Sequence, residues 1–267
     1  MIPIYMQHPV GQPIMPGIGG EPPIPPPPAL HPKTEEYLSR LNETYTSAEI
    51  SALDTFVLAL DGASILNKYD IMYLPFFARS MDDSRVNFAS SSYLATVVGT
   101  PTHAHKVGWS NMAAGSYFNT HLAPNAASLF SRNNGHIASW SNAVSTAGTD
   151  GGVENCFTLN RTNNVLGRLN SGANIGANLG AAMRHVCVCR QVDFFHLIYA
   201  DAVHFADGFH TSNAPSNTTM YVGRRGDTSE SPGLTKIIRA WHFGAFLETA
   251  DLEVLVPALT DLYNAIQ

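Results

Sequence analysis

His185-Val-Cys-Val-Cys-Arg190 is followed by Phe194-Phe-His-Leu-Ile-Tyr199 and then by Val203-His-Phe-Ala-Asp-Gly-Phe209. Each run is short, rich in β-branched and aromatic residues, and separated from the next by only a few positions. Runs of that length and composition read as strands rather than helices. The same texture extends outward in both directions. Tyr93–Val98, Ser128–Arg132, His136–Trp140, Asn155–Leu159 and Val165–Arg168 come before, and Met220–Arg224 and Lys236–Phe246 come after. Asn133-Asn134-Gly135 is a hairpin signal, because these residues accept the left-handed backbone that tight turns need. Asn163-Asn164 and Asp207-Gly208 are weaker turn signals. Many short strands with no helices between them predict an antiparallel sandwich rather than a parallel α/β sheet.

Helices are expected only at the flanks. Thr34–Leu41 is a short candidate. Thr46 opens a stronger one, because Glu49 completes a capping box. Ile50, Leu53, Phe56, Val57 and Leu60 then share one helical face, and Gly62 ends it. At the far end Thr249 and Asp251 suit a helix start, and Leu252, Leu255, Leu259, Leu262 and Ile266 form a stripe. Pro257 is expected to split this last helix in two.

Residues 1–33 are of another kind, holding eleven of the seventeen prolines. Proline fixes φ and removes a donor, so this stretch is neither helix nor central strand. Its later part is expected as polyproline II, rising about 3.1 Å per residue over on the order of 35 Å. Such a terminus orders only when tied down. Ile2, Ile4, Tyr5, Ile14 and Ile24, with Pro25, Pro26, Pro27 and Pro28, are the candidate grip on a neighbouring subunit. The expected division is an extended arm over 1–33, a short helical connector over 34–66, and a β-sandwich with a C-terminal helix over 67–267.

Composition narrows the function. Hydrophobic residues make up 45% of the chain, enough for a sizeable core, while only 13% are charged and the net charge is −6. No run of Lys or Arg tracks a phosphate backbone, so a nucleic-acid partner is not expected. No window is long and apolar enough to insert in a membrane, and Met1–Val10 has no signal-peptide pattern. The three cysteines, Cys156, Cys187 and Cys189, make an odd set that reads as free thiols.

Several segments resemble, in order, the concanavalin A-like (laminin-G-like) jelly-roll domains of tailed-phage and prophage proteins. They are the helix Ser51-Ala-Leu-Asp-Thr-Phe-Val-Leu-Ala-Leu60, Tyr93-Leu-Ala-Thr-Val-Val98, Tyr117-Phe-Asn-Thr120, Ala127-Ser-Leu-Phe-Ser-Arg132, Tyr221-Val-Gly-Arg-Arg225, and the strand-to-helix close Ile238-Arg-Ala-Trp-His-Phe-Gly-Ala-Phe-Leu-Glu-Thr-Ala-Asp-Leu252. The resemblance covers roughly residues 46–267 and leaves the arm outside. It implies an all-β, antiparallel two-sheet jelly roll with minor helices. It also implies a structural protein on a virion surface, assembled in the host cytoplasm. Such domains serve in capsid decoration and in head, neck or tail fibres. Here the arm would dock on other virion proteins and the chain would form a homo-oligomer. The alternative is a lectin-like receptor-binding protein that grips host polysaccharide, and third comes a glycan-degrading enzyme.

The search for chemistry favours a non-enzyme. Related sandwiches with glycosidase activity carry Glu-x-Asp-x-x-Glu on one strand, since a retaining pair sits about 5 Å apart. No such cluster occurs. Glu248, Asp251 and Glu253 fit a helix start, and Asp82-Asp83 beside Arg85 fits a solvated turn. His103-x-His105 invites a metal, as do His196, His204, His210 and His242, but no third ligand stands at tight spacing, so neither metal nor cofactor is expected. Asp150 and Asn155 are calcium-type donors that the sequence does not bring together. Gly172, Gly176 and Gly180 read as an Asn-rich loop rather than a phosphate cradle. Sugar binding needs an aromatic platform beside amides, and Trp109, Tyr117, Asn119 and Trp140 are the candidates. The competing reading of both tryptophans is core or interface.

Overall fold

The computed structural model describes residues 29–112, 115–142, 149–161, 164–180, 182–226 and 236–267. The expected arm contacts from Ile2 to Pro28, and Asn163 of one expected turn, lie outside the described residues. Two helices come first, α1 (Pro32–Leu38) and α2 (Ser47–Gly62), then β1 (Tyr69–Tyr73) and the single-turn α3 (Met81–Ser84). Next are β2 (Thr96–Val98), β3 (Thr102–Ala104), β4 (Gly108–Ser110), β5 (Tyr117–Asn119), β6 (Gly135–Asn142), β7 (Gly151–Val153), β8 (Cys156–Asn160), β9 (Val165–Leu169) and β10 (Ile175–Ala177). The chain closes with β11 (Met183–Val192), β12 (Phe195–Ala200), β13 (Val203–Phe209), β14 (Tyr221–Val222), β15 (Ile238–Gly244) and α4 (Thr249–Ala265).

These strands form an antiparallel two-sheet jelly-roll sandwich. One sheet runs β13-β12-β11-β6-β15-β4-β3, with β1 also paired to β15; the other runs β10-β9-β8-β7-β14-β5-β2. Alternation along each strand divides the side chains between two cores. Val186, Val188, Ile137, Ile198, Trp241 and Phe243 point between the sheets, where they meet Phe118, Val153, Cys156, Val165, Leu169 and Val222. Cys187, Cys189, Ala138, Trp140, Tyr199 and Ala240 point the other way, onto α2 and α4. The middle of the first sheet is therefore buried on both faces, which is why strands such as β11 read as largely apolar runs. Leu53, Phe56, Val57 and Leu60 of α2, and Leu252, Leu255, Leu259 and Leu262 of α4, complete that second core. Burying each such side chain is worth about 1.5–3 kcal/mol.

Several local expectations are corrected. The first helix starts at Pro32, inside the expected arm, because proline is well placed at a first helical position and the His31 imidazole caps the Lys33 N–H. Pro257 does not split α4, which runs unbroken from Thr249 to Ala265. A missing N–H in a helix interior costs about 3 kcal/mol, and the buried leucine stripe of this helix offsets it. Ser128–Arg132 is not a strand. The Asp70 carboxylate accepts from the backbone N–H groups of Ser128 (2.8 Å), Leu129 (3.0 Å) and Phe130 (2.9 Å), which draws the segment onto β1. The neighbouring turn closes with a Ser131–Asn134 bridge, one residue before the expected Asn-Asn-Gly turn. Asp207-Gly208 is not a turn but lies inside β13; the reversal between β12 and β13 falls on Asp201 and Ala202, both left-handed (φ +51° and +65°). Gly208 is needed for close approach instead, since a Cβ there would stand 2.1 Å from Ile175. The expected glycine-rich loop contains strand β10.

Candidate functional site

The second sheet has no described helix over its outer face, and its side chains there are polar or aromatic. In β5, Phe118 enters the core while Tyr117 and Asn119 face outward, partly exposed. In β14, Val222 enters the core and Tyr221 faces outward. Residues directly opposite in a ladder share a face. Thr96 stands opposite Asn119, Asn119 opposite Tyr221, Tyr221 opposite Gly152, Gly152 opposite Phe157, and Phe157 opposite Arg168. A single row of outward positions thus crosses six strands.

Two features stand along that row. On one side of Gly152, the rings of Tyr117 and Tyr221 stack with centroids 4.4 Å apart and planes 30° from parallel. The Arg224 guanidinium lies 4.7 Å from the centre of the Tyr117 ring and 5.6 Å from that of Tyr221. Partial burial and the neighbouring Tyr117 raise the Tyr221 hydroxyl above its ordinary range, so it stays a neutral donor. On the other side, Phe157 lies beneath the guanidiniums of Arg168 (5.5 Å) and Arg225 (5.3 Å). With Arg161, Thr149 and Asn174 these line a cleft of about 160 Å³ floored by Phe157, Leu159 and Leu166. Between the two features Gly152 holds φ +125°, and a Cβ there would stand 2.1 Å from the Cys156 carbonyl oxygen. The row therefore carries no side chain at its middle. Phenol hydroxyls, an amide and guanidiniums beside aromatic rings suit a ligand rich in hydroxyls.

The structure separates the four expected glycan contacts. Tyr117 and Asn119 belong to this face. Trp109 does not: it is fully buried between the sheets, stacked on Phe118 at 3.9 Å, with its indole N–H donated to Ser84 at 2.8 Å. Trp140 is also withdrawn, on the far side of the first sheet among Phe76, Tyr263 and Arg239. Aromatic type alone could not tell platform from core; strand parity could, had the short strands β5 and β14 been placed. Tyr221 was missed for that reason, although Tyr221-Val-Gly-Arg-Arg225 was singled out as a segment.

The other chemistry-bearing residues are held elsewhere. Asp83 is not a solvated turn residue but a buried anchor, accepting from the N–H groups of Asn42 (2.7 Å) and Glu43 (3.2 Å) and from the Tyr45 hydroxyl (3.0 Å). Asp251 is committed to the capping of α4 and to Lys68 at 2.6 Å. Asp150 lies inside the sandwich, 2.7 Å from the Lys236 ammonium, and accepts from Ser139 (2.6 Å) and Ser141 (2.8 Å). It does not stand at a calcium site with Asn155. His103 and His105 each bond a main-chain carbonyl, of Pro75 and Ala78. Cys187 and Cys189 share a face, as their spacing requires, with sulfurs 3.4 Å apart, and all three cysteines are buried. Among the described residues no group of three or more His, Cys, Asp or Glu side chains is arranged to hold a metal ion.

Three histidines form a buried chain beneath α4. His136 Nε2 lies 2.8 Å from His242 Nδ1, and His242 Nε2 lies 2.8 Å from His185 Nε2. His136 Nδ1 faces the Ala245 carbonyl, which only accepts. That end fixes every proton: His136 donates from Nδ1, His242 donates from Nδ1 to His136, and His185 donates from Nε2 to His242. His185 Nδ1 is left as a buried acceptor with no hydrogen-bond partner. Burial pushes His136 down to about 4 and His185 down to about 3, and pushes His242 well below its ordinary value.

No family model matches the chain, and no curated protein matches it. Solved structures do share its fold. The binding domain of Paraclostridial Mosquitocidal Protein 1 superposes with a TM-score of 0.55 at 9% identity, over 72% of this chain and 52% of that one. The botulinum neurotoxin serotype D binding domain gives 0.53 at 12% identity, over 73% and 52%. The serotype D ligand binding domain in complex with N-acetylneuraminic acid gives 0.51 at 12%, over 73% and 52%. The chain spans about half the length of these structures. At such identities they establish the sandwich fold alone.

Proposed function

We propose that this chain is a carbohydrate-binding β-sandwich whose open sheet face takes a hydroxyl-rich glycan, as a lectin does, without transforming it. The observation that carries the reading is the stacked Tyr117–Tyr221 pair on a sheet face that no described helix covers, with Asn119 and Arg224 beside it. Phenol rings offer apolar contact to sugar C–H groups, while the amide and guanidinium donate to sugar oxygens. The fold neighbours include toxin binding domains, one of them in complex with N-acetylneuraminic acid. They give the reading its direction, and the tyrosine face gives it its residues. Binding is preferred to catalysis because Asp83, Asp150 and Asp251 are each engaged in holding the fold. A host-surface polysaccharide is the proposed ligand class. The display role on a virion, and the arm through which the resemblance would anchor it, add nothing to this face and are not needed by it.

A glycan array run on the full chain tests the proposal, with Tyr117→Ala and Tyr221→Ala variants alongside. Binding to a defined set of glycans, lowered roughly tenfold or more by either substitution, is the expected result. A flat array, or a signal indifferent to both tyrosines, would remove it.

A further inference from the structure

Among the described residues the first sheet ends on an edge that is unusually apolar. Strand β13 closes the strand order, and Val203, Phe205 and Phe209 along it are 57%, 39% and 70% exposed. Phe194 and Val192 at the neighbouring turn are exposed too, at 60% and 42%. Natural edge strands are blunted by charge or proline, because their unpaired backbone groups invite another strand. Among the described residues of this strand, polar cover comes from His204 and Asp207, 2.7 Å apart.

We propose that β13 pairs antiparallel with β13 of a second copy of this chain, about a two-fold axis between Phe205 and Ala206. The choice of occupant rests on the strand's own sequence, which is complementary to itself when reversed. That axis sets His204 opposite the partner's Asp207, Phe205 opposite the partner's Ala206, Val203 opposite the partner's Gly208, and Ala202 opposite the partner's Phe209. Every bulky residue meets a small one, and each imidazole meets a carboxylate, twice over by symmetry. The faces agree as well. The register shift between Ile198 and Tyr199 leaves Phe205 without a partner on β12. It also brings His204 and Asp207 to the same side, opposite Tyr199 and Leu197, which both pack on the helix-side core. Ala202 packs on that side, and Phe209 stands against Phe195. Ala206 and Gly208 turn to the inner side, toward the sandwich core and Ile175. A pairing with any other centre would break this matching of size and charge. Because the axis is two-fold, both edges are consumed and association stops at the dimer.

The test needs no ligand: the full chain is weighed in solution by light scattering after size separation, across a concentration series. Wild type is expected as a dimer. Phe209→Arg, an exposed position, is expected to give a monomer with unchanged circular dichroism. His204→Asp sets carboxylate against carboxylate and is expected to weaken association about tenfold or more. Adding Asp207→His to His204→Asp restores the complementarity and is expected to restore the dimer. A wild-type monomer throughout the series would overturn the proposal, and so would a dimer indifferent to Phe209→Arg and His204→Asp, or an open ladder of larger sizes. Loss of the dimer in His204→Asp without recovery in the double variant would overturn this register.

Discussion

The outer faces of the two sheets are built on the same alternating pattern yet meet opposite surroundings. The first carries Trp140, Cys187, Cys189, Tyr199 and three histidines outward, and all are sealed beneath α2 and α4. The second carries Tyr117, Asn119, Tyr221 and Arg168 outward, and no described helix covers them. A polar or aromatic residue on an outer face is therefore sealed or solvent-facing according to what packs over it, not according to its type. On the sealed face even imidazoles are held neutral in a fixed chain. On the open face a tyrosine hydroxyl and a guanidinium stay at the surface.

Substitutions on the two sides should separate cleanly. The largest loss is expected inside the sandwich: Lys236→Met strands the Asp150 carboxylate, whose side chain is fully buried, and should cost about 3–5 kcal/mol in urea unfolding. Trp140→Ala on the sealed face should cost about 3–4 kcal/mol by cavity formation, while glycan binding by the folded fraction stays unchanged. Acidification should act through the same face. Unfolded histidines take up protons near pH 6.5, whereas His136 resists until about 4 and His185 until about 3. The unfolded chain therefore binds more protons between those limits, so stability is full above pH 6.5 and falls as pH drops toward 4. His136 alone should account for about 3 kcal/mol. Urea midpoints at pH 7 and pH 4.5 check this, and His136→Phe should shrink the difference without abolishing it, because His185 and His242 stay depressed. The smallest stability effect belongs to Tyr221→Ala, below about 1 kcal/mol, since its side chain is only partly buried. A large loss of stability there would merge the two faces into one structural class.

The fold was legible because long strands such as β11 and β15 are apolar over most of their length, and the capping box of α2 names its own start. The short strands were not. β4, β7 and β10 span three residues each, too few for any periodicity, and β1 was hidden by burial of all five of its side chains. Asp70 shows the limit more sharply: its carboxylate removes Ser128–Phe130 from the ladder through contacts about sixty positions distant, which no local pattern encodes. Half of the proposed face could be named in advance. Tyr117 and Asn119 were candidates, but Trp109 and Trp140 were equally aromatic, and only the position of each strand in its sheet tells which ring meets solvent.

Amide hydrogen exchange, with and without a saturating oligosaccharide chosen from the array, tests the central claim most directly. A competing cavity exists between α2 and α4, lined by Ala52, Phe56, Val254 and Pro257, so the two outer sides can be told apart. Protection gathered on Tyr117–Asn119 and on Tyr221–Val222, with the helices unchanged, is the predicted result. Protection confined to α2 and α4, with β5 and β14 untouched, would contradict it.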